Sequence, residues 1–273
     1  MKKSSIVGLR LLSSILATVF IAVLLLGQVA NAQATSSGNS RLDTIIERGS
    51  ILVGTTGDYK PFSIIDKTTG DFVGYDIDAA KLLAEALGVK VVFVQTSWPT
   101  LMKDLLDDKF DIAMSGITRT YARQKQAHFS HGYFPFGKSP LIRAQDKAKF
   151  TSLAAIDQPG VKIGVNPGGT NERFVKANIT KATIIVHAKN AEIPGMVAAG
   201  KFDVMITDSP EAIRYAKDDS RLYAALLDKT FTKNQFGIMM QRGDQVFANF
   251  INMWMEEMKL QGEFDKLYDK YMK

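Results

Sequence analysis

The 273-residue sequence contains no cysteine, and this absence excludes several kinds of site. A chain without thiols has no disulfide framework, no cysteine nucleophile and no zinc–thiolate centre. Histidine is scarce as well: His128, His131 and His187 are the only three, and their spacing fits no metal-ligand pattern. No Gly-x-Ser-x-Gly elbow occurs, so serine hydrolase chemistry lacks support. We therefore predict a protein without a metal or a cofactor.

The sequence also lacks a block of lysine and arginine residues of the kind that binds nucleic acid. Its formal net charge is +6. Three basic residues, Lys2, Lys3 and Arg10, lie among the first 32 residues, and no acidic residue does. Removal of that segment lowers the formal charge by three, to +3. We predict no nucleic-acid partner.

One long apolar run is present, from Leu11 to Leu26. It follows the basic residues and precedes Ala30-Asn31-Ala32, which has the small-x-small form of a cleavage site. We predict a signal peptide over residues 1–32, cleaved after Ala32, and a periplasmic protein with no membrane attachment afterwards. The alternative is an uncleaved anchor, but polar residues interrupt the run, which is shorter than the ~20 residues of a spanning helix.

The rest of the chain alternates short apolar strands with amphipathic helices, a pattern that predicts an α/β fold. After a flexible leader predicted over residues 33–40, Lys109-Phe110-Asp111 is echoed by Lys201-Phe202-Asp203, and each precedes an apolar strand with a polar exit. Residues 51–58 are echoed in the same way by residues 161–172. Two echoes in the same order predict two lobes of similar plan.

Two segments of extended character, 138–143 and 234–240, are suited to cross between these lobes. We therefore predict a two-strand hinge and a central ligand cleft. Lobe 1 is predicted over residues 41–139 and 238–273, and lobe 2 over residues 140–237. The helix predicted over 245–260 has an apolar face typical of a core helix. That face is buried either within one chain or between two copies of the chain, and in the second case the protein is a homo-oligomer.

Two carboxylates follow a predicted buried strand of the second lobe. The stretch Thr207-Asp208-Ser209-Pro210-Glu211 comes directly after the apolar residues of 202–206, and its proline favours the start of a helix. Such turns, at the carboxyl ends of strands, form the ligand crevice of open α/β sheets. The alternative is that Asp208 or Ser209 only caps the helix and that Glu211 only complements its dipole.

Other polar residues follow strands in the same way, and each has an ordinary explanation beside a functional one. Arg123 could be solvated or could bind a carboxylate through two hydrogen bonds. Lys138 could be solvated or could meet an anion at the hinge. The Gly-rich loop 166–172 exposes backbone N–H groups that suit an anion. Four further candidates for the site lie at or near strand ends: Asp58, Trp98, Ser115 and Thr118.

The order of these motifs resembles the periplasmic solute-binding proteins for polar amino acids, which have a two-lobed fold of type II. The resemblance rests on Phe-x-Gly-Tyr-Asp-Ile-Asp at 72–78, on residues 110–120, on Arg123 and on Thr207-Asp208-Ser209. It implies that Arg123 and Asp208 hold the α-carboxylate and α-ammonium of a ligand.

Other segments are more similar to the cyclohexadienyl dehydratases, enzymes built on that fold: 40–43, 55–63, 96–99, 156–161 and 166–172. This resemblance implies dehydration and decarboxylation of prephenate to phenylpyruvate and of arogenate to phenylalanine, with Glu211 as the general acid. It also implies pocket positions at Asp58, Trp98, Lys138, Asn166 and Thr170.

Two segments depart from the dehydratase pattern and look more like amino-acid binders, namely Thr118-Arg119-Thr120 and Ser209-Pro210. Two hypotheses follow. The first is a dehydratase in which Glu211 is kept protonated by burial, with Arg123, Lys138 and the 166–170 loop holding carboxylates. The second is a non-catalytic amino-acid-binding protein of an ABC transporter.

Overall fold

The computed structural model describes residues 40–273. The predicted signal peptide and, apart from Ser40, the predicted leader lie outside the described residues. None of the helices in the described part is long and apolar enough to cross a bilayer.

Two five-stranded sheets carry the fold. In spatial order the first sheet consists of β5 (Lys90–Gln95), β1 (Ser50–Thr55), β6 (Ile112–Ala113), β15 (Met239–Met240) and β7 (His128–Phe129). The second consists of β11 (Thr183–Val186), β10 (Lys162–Val165), β12 (Val204–Asp208), β9 (Lys138–Arg143) and β13 (Leu222–Ala224). In each sheet the first three strands are parallel, and the fourth runs antiparallel to both of its neighbours.

Smaller strands, ten α-helices and two short 3-10 helices, Ala144–Asp146 and Asn190–Glu192, complete the described part. A three-stranded sheet contains β2 (Asp58–Tyr59), β3 (Ser63–Ile65) and β4 (Phe72–Val73), and a two-stranded ribbon contains β8 (Phe134–Phe136) and β14 (Asn234–Phe236). The helices are α1 (Arg41–Arg48), α2 (Tyr75–Leu87), α3 (Leu101–Leu106), α4 (Tyr121–Gln124), α5 (Leu153–Ile156), α6 (Thr170–Asn178), α7 (Ile193–Ala198), α8 (Ser209–Asp218), α9 (Gln245–Leu260) and α10 (Glu263–Met272).

The sequence echo between the two halves has a structural counterpart. The ring of Phe110 packs against Gly54 in β1, so closely that a Cβ on this glycine would lie 2.6 Å from the ring. Phe202 packs in the same way on Gly164 in β10, at 2.3 Å. The carboxylate of Asp111 accepts from the N–H of Leu52 at 2.7 Å, just as that of Asp203 accepts from the first residue of β10 at 2.9 Å. The two sheets are therefore built by the same local rules.

The chain passes between the sheets beside the β8/β14 ribbon. Phe136 and Phe236 stack there with ring centroids 3.9 Å apart, and Phe62 contacts Phe236 edge-on at 4.8 Å. These rings are buried. Two antiparallel strands thus cross here, as predicted, but the outgoing strand is β8 and not the predicted segment 138–143, which forms β9 of the second sheet. Of the predicted return segment 234–240, only 234–236 lies in the ribbon, and the predicted lobe bounds remain a prediction.

Helix α9 buries its apolar face against the first sheet, as its sequence pattern predicts. Phe247, Ile251, Trp254, Met255 and Met258 are buried and belong to one hydrophobic cluster with residues of that sheet. The face is thus covered by the chain itself.

Substitution of Gly74, directly before α2, tests how tightly the first lobe is packed at this position. Its φ is +143°, and an added Cβ would lie 2.3 Å from the carbonyl oxygen of Phe62. Gly70 has a φ of +79° but no atom within 4 Å of the same added Cβ. We expect Gly74→Ala to lower the free energy of unfolding by more than about 3 kcal/mol, and Gly70→Ala by about 1–2 kcal/mol, from backbone strain alone. Urea unfolding measures both, and equal losses would contradict the packing argument.

Candidate active site

The carboxyl ends of strands in both sheets face one cleft, as expected for open α/β sheets. Strand β12 ends at Asp208, and its register in the sheet pairs Asp208 with Lys138, the first residue of β9. The loop after β10 leads into α6, which begins at Thr170. From the first sheet, β1 leads to Asp58 and β5 leads to Trp98.

A buried ion pair lies at the centre of this cleft. The Lys138 ammonium donates to Asp208 Oδ1 at 2.5 Å, and the two side chains are only 3% and 4% exposed. Lys138 also donates to the Thr170 hydroxyl at 2.8 Å and to Asn171 Oδ1. The second oxygen of Asp208 accepts from the Tyr59 hydroxyl, which reaches it from the first lobe. Burial lowers the pKa of Lys138, and the adjacent Asp208 opposes that shift.

Asp208 occupies the N-cap position of α8, yet its side chain makes no capping hydrogen bond. The capping alternative is therefore wrong for this side chain, because Lys138 and Tyr59 occupy its two oxygens. The structure brings together a cation and an anion that the sequence analysis had placed in the site separately.

Glu211 lies in the first turn of α8 and is completely buried. Its Oε1 accepts from Asn190 Nδ2 at 2.8 Å, and its Oε2 accepts from the Thr207 hydroxyl. Both donors are neutral. Burial raises the pKa of Glu211 to about 8, with a further rise from the charge of Asp208, while the two hydrogen bonds oppose the shift. Such a carboxyl is protonated near neutral pH and can act as a proton donor.

A chain of hydrogen bonds connects this carboxyl with the ion pair. Lys138 donates to Asn171, Asn171 Nδ2 donates to the Thr207 hydroxyl at 3.1 Å, and Thr207 donates to Glu211. Since the four side chains are buried, the chain holds the acid in a fixed place relative to the cation.

Arg123 is buried with 8% exposure and donates through one guanidinium nitrogen to the carbonyl oxygen of Thr118 at 2.9 Å. Within residues 40–273 it forms no ion pair with a carboxylate. Burial, followed by the charge of Arg173, lowers its pKa to about 10, while Asp208 opposes the shift. Thr118 links the lobes, because its hydroxyl lies 3.2 Å from that of Thr170.

The remaining predicted side chains surround this centre. The Trp98 indole donates to Asp58 Oδ1 at 2.9 Å, and burial raises the pKa of Asp58. Ser115 is buried, and its hydroxyl lies 2.8 Å from that of Thr56. Asn166 is buried as well, and its Oδ1 has no hydrogen-bond partner among the described residues.

A cavity between the lobes is lined by residues from both. Its lining consists of Tyr59, Trp98, Gly116, Thr118, Asn166, Gly169, Thr170, Asn171 and Asp208. Its volume is about 10 Å³, room for roughly one water molecule. The lobes must therefore separate before a substrate enters. A groove of about 840 Å³ elsewhere on the surface borders Arg119 and Lys233, but none of the predicted site residues lines it.

Comparison of the sequence with known protein families agrees with a fold of two lobes around a cleft. The model of the bacterial extracellular solute-binding proteins, family 3, matches residues 51–273. The chain belongs to this family. The predicted two-lobed fold of the type II solute-binding proteins is thereby confirmed.

Curated relatives of this solute-binding protein include both an enzyme and transport proteins. The cyclohexadienyl dehydratase of Pseudomonas aeruginosa is 46% identical over 79% of this chain and 80% of its own length. The glutamine-binding protein of an ABC transporter of Bacillus subtilis is 28% identical over 97% of both chains.

Solved structures similar to this solute-binding protein include two reconstructed ancestors. An ancestral amino acid-binding protein, described as a precursor of cyclohexadienyl dehydratase, is 41% identical with a TM-score of 0.79, covering 86% of this chain and 100% of its own. An ancestral cyclohexadienyl dehydratase is 55% identical with a TM-score of 0.55, covering 86% and 97%.

Not all residues around the cleft of this solute-binding protein were among the predicted site residues. Of the ten predicted, Trp98, Thr118, Asn166, Thr170 and Asp208 line the cavity. Glu211 does not, and neither do Asp58, Ser115, Arg123 and Lys138, which lie behind or beside the lining residues.

The sequence analysis missed four polar side chains that hold the site together. Tyr59, Asn171 and Thr207 stand next to residues that it did select, so their positions after strands were a usable signal. Asn190 lies four residues after β11 and has no motif around it. No group of three or more acidic, histidine or cysteine side chains in the described part is placed to hold a metal ion.

The buried ion pair between Lys138 and Asp208 leads to a prediction about stability. Lys138→Met leaves Asp208 buried with only the neutral donor Tyr59, so we expect the free energy of unfolding to fall by about 3–5 kcal/mol. The double variant Lys138→Met/Asp208→Asn removes the uncompensated charge and should recover most of that loss. Lys103→Met, which breaks the exposed ion pair with Asp107, is the control and should change stability by less than about 1 kcal/mol. Urea unfolding at pH 7 tests the set, and a double variant no more stable than the single one would contradict the argument.

Proposed function

We propose that this protein is a cyclohexadienyl dehydratase, which converts prephenate to phenylpyruvate and arogenate to phenylalanine. The observation that carries the proposal is the completely buried carboxyl of Glu211, with its pKa raised to about 8, near a cleft that two buried cations, Lys138 and Arg123, flank. The 46% identity to the Pseudomonas aeruginosa enzyme supports the same reaction.

The reaction needs little from the protein besides binding and one proton. The substrate carries a carboxylate and a hydroxyl on opposite positions of a cyclohexadiene ring. When the C–OH bond breaks with uptake of a proton, water leaves. The electrons of the bond between ring carbon and carboxylate then enter the ring, carbon dioxide leaves, and the ring becomes aromatic. General acid catalysis of such a step typically contributes about 10²- to 10⁴-fold.

Glu211 is the proposed proton donor. With a pKa of about 8, roughly 90% of its carboxyl is protonated at pH 7, whereas a glutamate with the ordinary value of 4.5 is protonated to less than about 1%. The proton is thus available at the pH of the compartment. Its neutral hydrogen-bond partners, Asn190 and Thr207, leave the acid without a counter-ion that would ionise it.

The other predicted residues are assigned to binding. Arg123 and Lys138 attract the carboxylates of the substrate, which replace one of the three present acceptors of Lys138, and the Thr170 hydroxyl orients them. The buried Oδ1 of Asn166 can accept only from a donor, such as the hydroxyl of the substrate. Trp98, held by Asp58, forms the wall against the ring. Ser115 and Thr118 complete the polar side of the cleft. These roles require the lobes to open for the substrate and to close for the chemistry.

Replacement of the acid tests the mechanism. We expect Glu211→Gln to lower the turnover number for prephenate by about 10²- to 10⁴-fold, because the amide has no proton of suitable acidity to donate. The rate of phenylpyruvate formation, followed by ultraviolet absorbance, measures it. Glu263→Gln, in the first turn of α10, changes a glutamate of similar helix position and should have no effect. Unchanged turnover in Glu211→Gln would rule out this assignment.

The pH dependence of the turnover number is a second test. Since the protonated form of Glu211 is active, kcat should stay constant up to about pH 7 and fall about tenfold per pH unit above pH 8. The Glu211→Gln variant should lack this alkaline limb. Turnover that rises through pH 8 would mean that a deprotonated group does the work.

Binding of an amino acid without turnover is the competing function. Relatives include an ABC transporter glutamine-binding protein, and the buried pair Arg123 and Asp208 suits an amino-acid ligand. However, each oxygen of Asp208 already accepts from Lys138 or from Tyr59, so an α-ammonium would have to share this carboxylate with both donors. Incubation with prephenate separates the functions: phenylpyruvate supports the enzyme, whereas tight binding of a basic amino acid with no product supports the transporter protein.

The family is extracellular, which fits export of this chain. Periplasmic localisation with cleavage after Ala32 is our proposal for the N-terminus. A homo-oligomer has no support from α9, whose apolar face the chain itself covers.

A further inference from the structure

Asn190 is a buried side chain to which neither the sequence motifs nor the resemblance assign a role. It begins the short 3-10 turn Asn190–Glu192, which follows β11 in the second sheet. Its exposure is 0%, and its Nδ2 donates to protein atoms, whereas its Oδ1 has no hydrogen-bond partner among the described residues.

The amide of Asn190 lies between two acceptors from different lobes. Its Nδ2 donates one hydrogen to Glu211 Oε1 at 2.8 Å and the other to the backbone carbonyl oxygen of Asp58 at 3.0 Å. Glu211 belongs to the helix after β12 of the second sheet, whereas Asp58 follows β1 of the first. Because both neighbours are acceptors, only the NH₂ side of the amide fits between them.

This contact fixes one oxygen of the acid. Oε1 accepts from Asn190, whereas Oε2 accepts from the Thr207 hydroxyl, which in turn accepts from Asn171 at 3.1 Å. The carboxyl is therefore held at both ends, and its plane is fixed.

We propose that Asn190 is a positioning residue for the general acid, which it aligns only when the lobes are closed and the carbonyl of Asp58 is in reach. The inference rests on the proposed function of Glu211. In the open state the amide loses its partner on the first lobe but keeps Glu211, so the orientation of the amide, and with it that of the acid, is no longer fixed from the first lobe. Proton delivery is thereby restricted to the closed, water-excluded cleft.

Removal of the amide without a large change in size tests this role. In Asn190→Leu we expect kcat for prephenate to fall by roughly 10- to 100-fold, since a misaligned acid transfers its proton slowly. KM should change by less than about 3-fold, because Asn190 does not line the cavity. The alkaline limb of kcat should move upward by roughly one pH unit, because a donor that favours the carboxylate form is lost. A merely structural residue would not move that limb.

Other charged and titratable groups face Glu211 and stay unchanged in this variant, so that the shift can be ascribed to the amide. They are Asp58, Asp208, Lys138, Tyr59 and Tyr215. Asn178→Leu is the matched control: this exposed asparagine donates to the carbonyl of Phe174, outside the site, and its loss should leave kcat and the limb as in the wild type.

Asn190→Ser provides a second variant should the leucine not be accommodated. It retains one hydroxyl donor, and we expect the same changes at smaller size. A wild-type-like kcat and limb in a folded variant overturns the proposal, as does a rise in KM with kcat unchanged, which would make Asn190 a binding residue. Failure of the proposed function is distinguishable, since the wild-type protein itself would then form no phenylpyruvate.

Discussion

The hydrogen-bonded ion pair between Lys138 and Asp208 is the interaction on which the rest of the cleft depends. The register of β9 and β12 places the two residues directly opposite each other, and burial of both makes each charge costly without the other. Because Asp208 is satisfied by Lys138 and by Tyr59 of the first lobe, the pair also joins the lobes in the closed arrangement. Lys138 in turn orients Asn171 and Thr170.

Asp208 and Glu211, two carboxyl groups three residues apart, have different hydrogen-bond partners. Asp208 has a cation against one oxygen, whereas Glu211 has only the neutral donors Asn190 and Thr207. Burial then acts on Glu211 without a compensating charge, and the proximity of Asp208 adds to the rise of its pKa. The environment of each side chain thus distinguishes an ion-paired carboxylate from a buried carboxyl without a counter-ion, a difference that enzymes with paired carboxylates use.

The sequence predicted those parts of the structure that follow from local pattern. The repeated Lys-Phe-Asp segments predicted two lobes, because each phenylalanine packs on a strand glycine and each aspartate bonds to a strand N–H. Polar residues at strand ends predicted Asp208 and Glu211. The sequence pattern could not predict the hydrogen bond between Asn190 and Asp58, which are 132 residues apart. Nor could it predict that the Tyr59 hydroxyl donates to Asp208, since both contacts depend on how the lobes meet.

A solute-binding fold is suited to acid catalysis because closure of the lobes buries a carboxyl group in the same way as it buries a ligand. In the closed arrangement, burial lowers the pKa values of Lys138 and Arg123 below their ordinary values and raises that of Glu211. In a transport protein, such burial strengthens the electrostatic interactions with a charged solute. With a carboxyl that has no cation beside it, the same burial also retains a proton near pH 7. The step from binding to catalysis therefore requires no new fold, only an acid with neutral partners at the end of a strand that already faced the cleft.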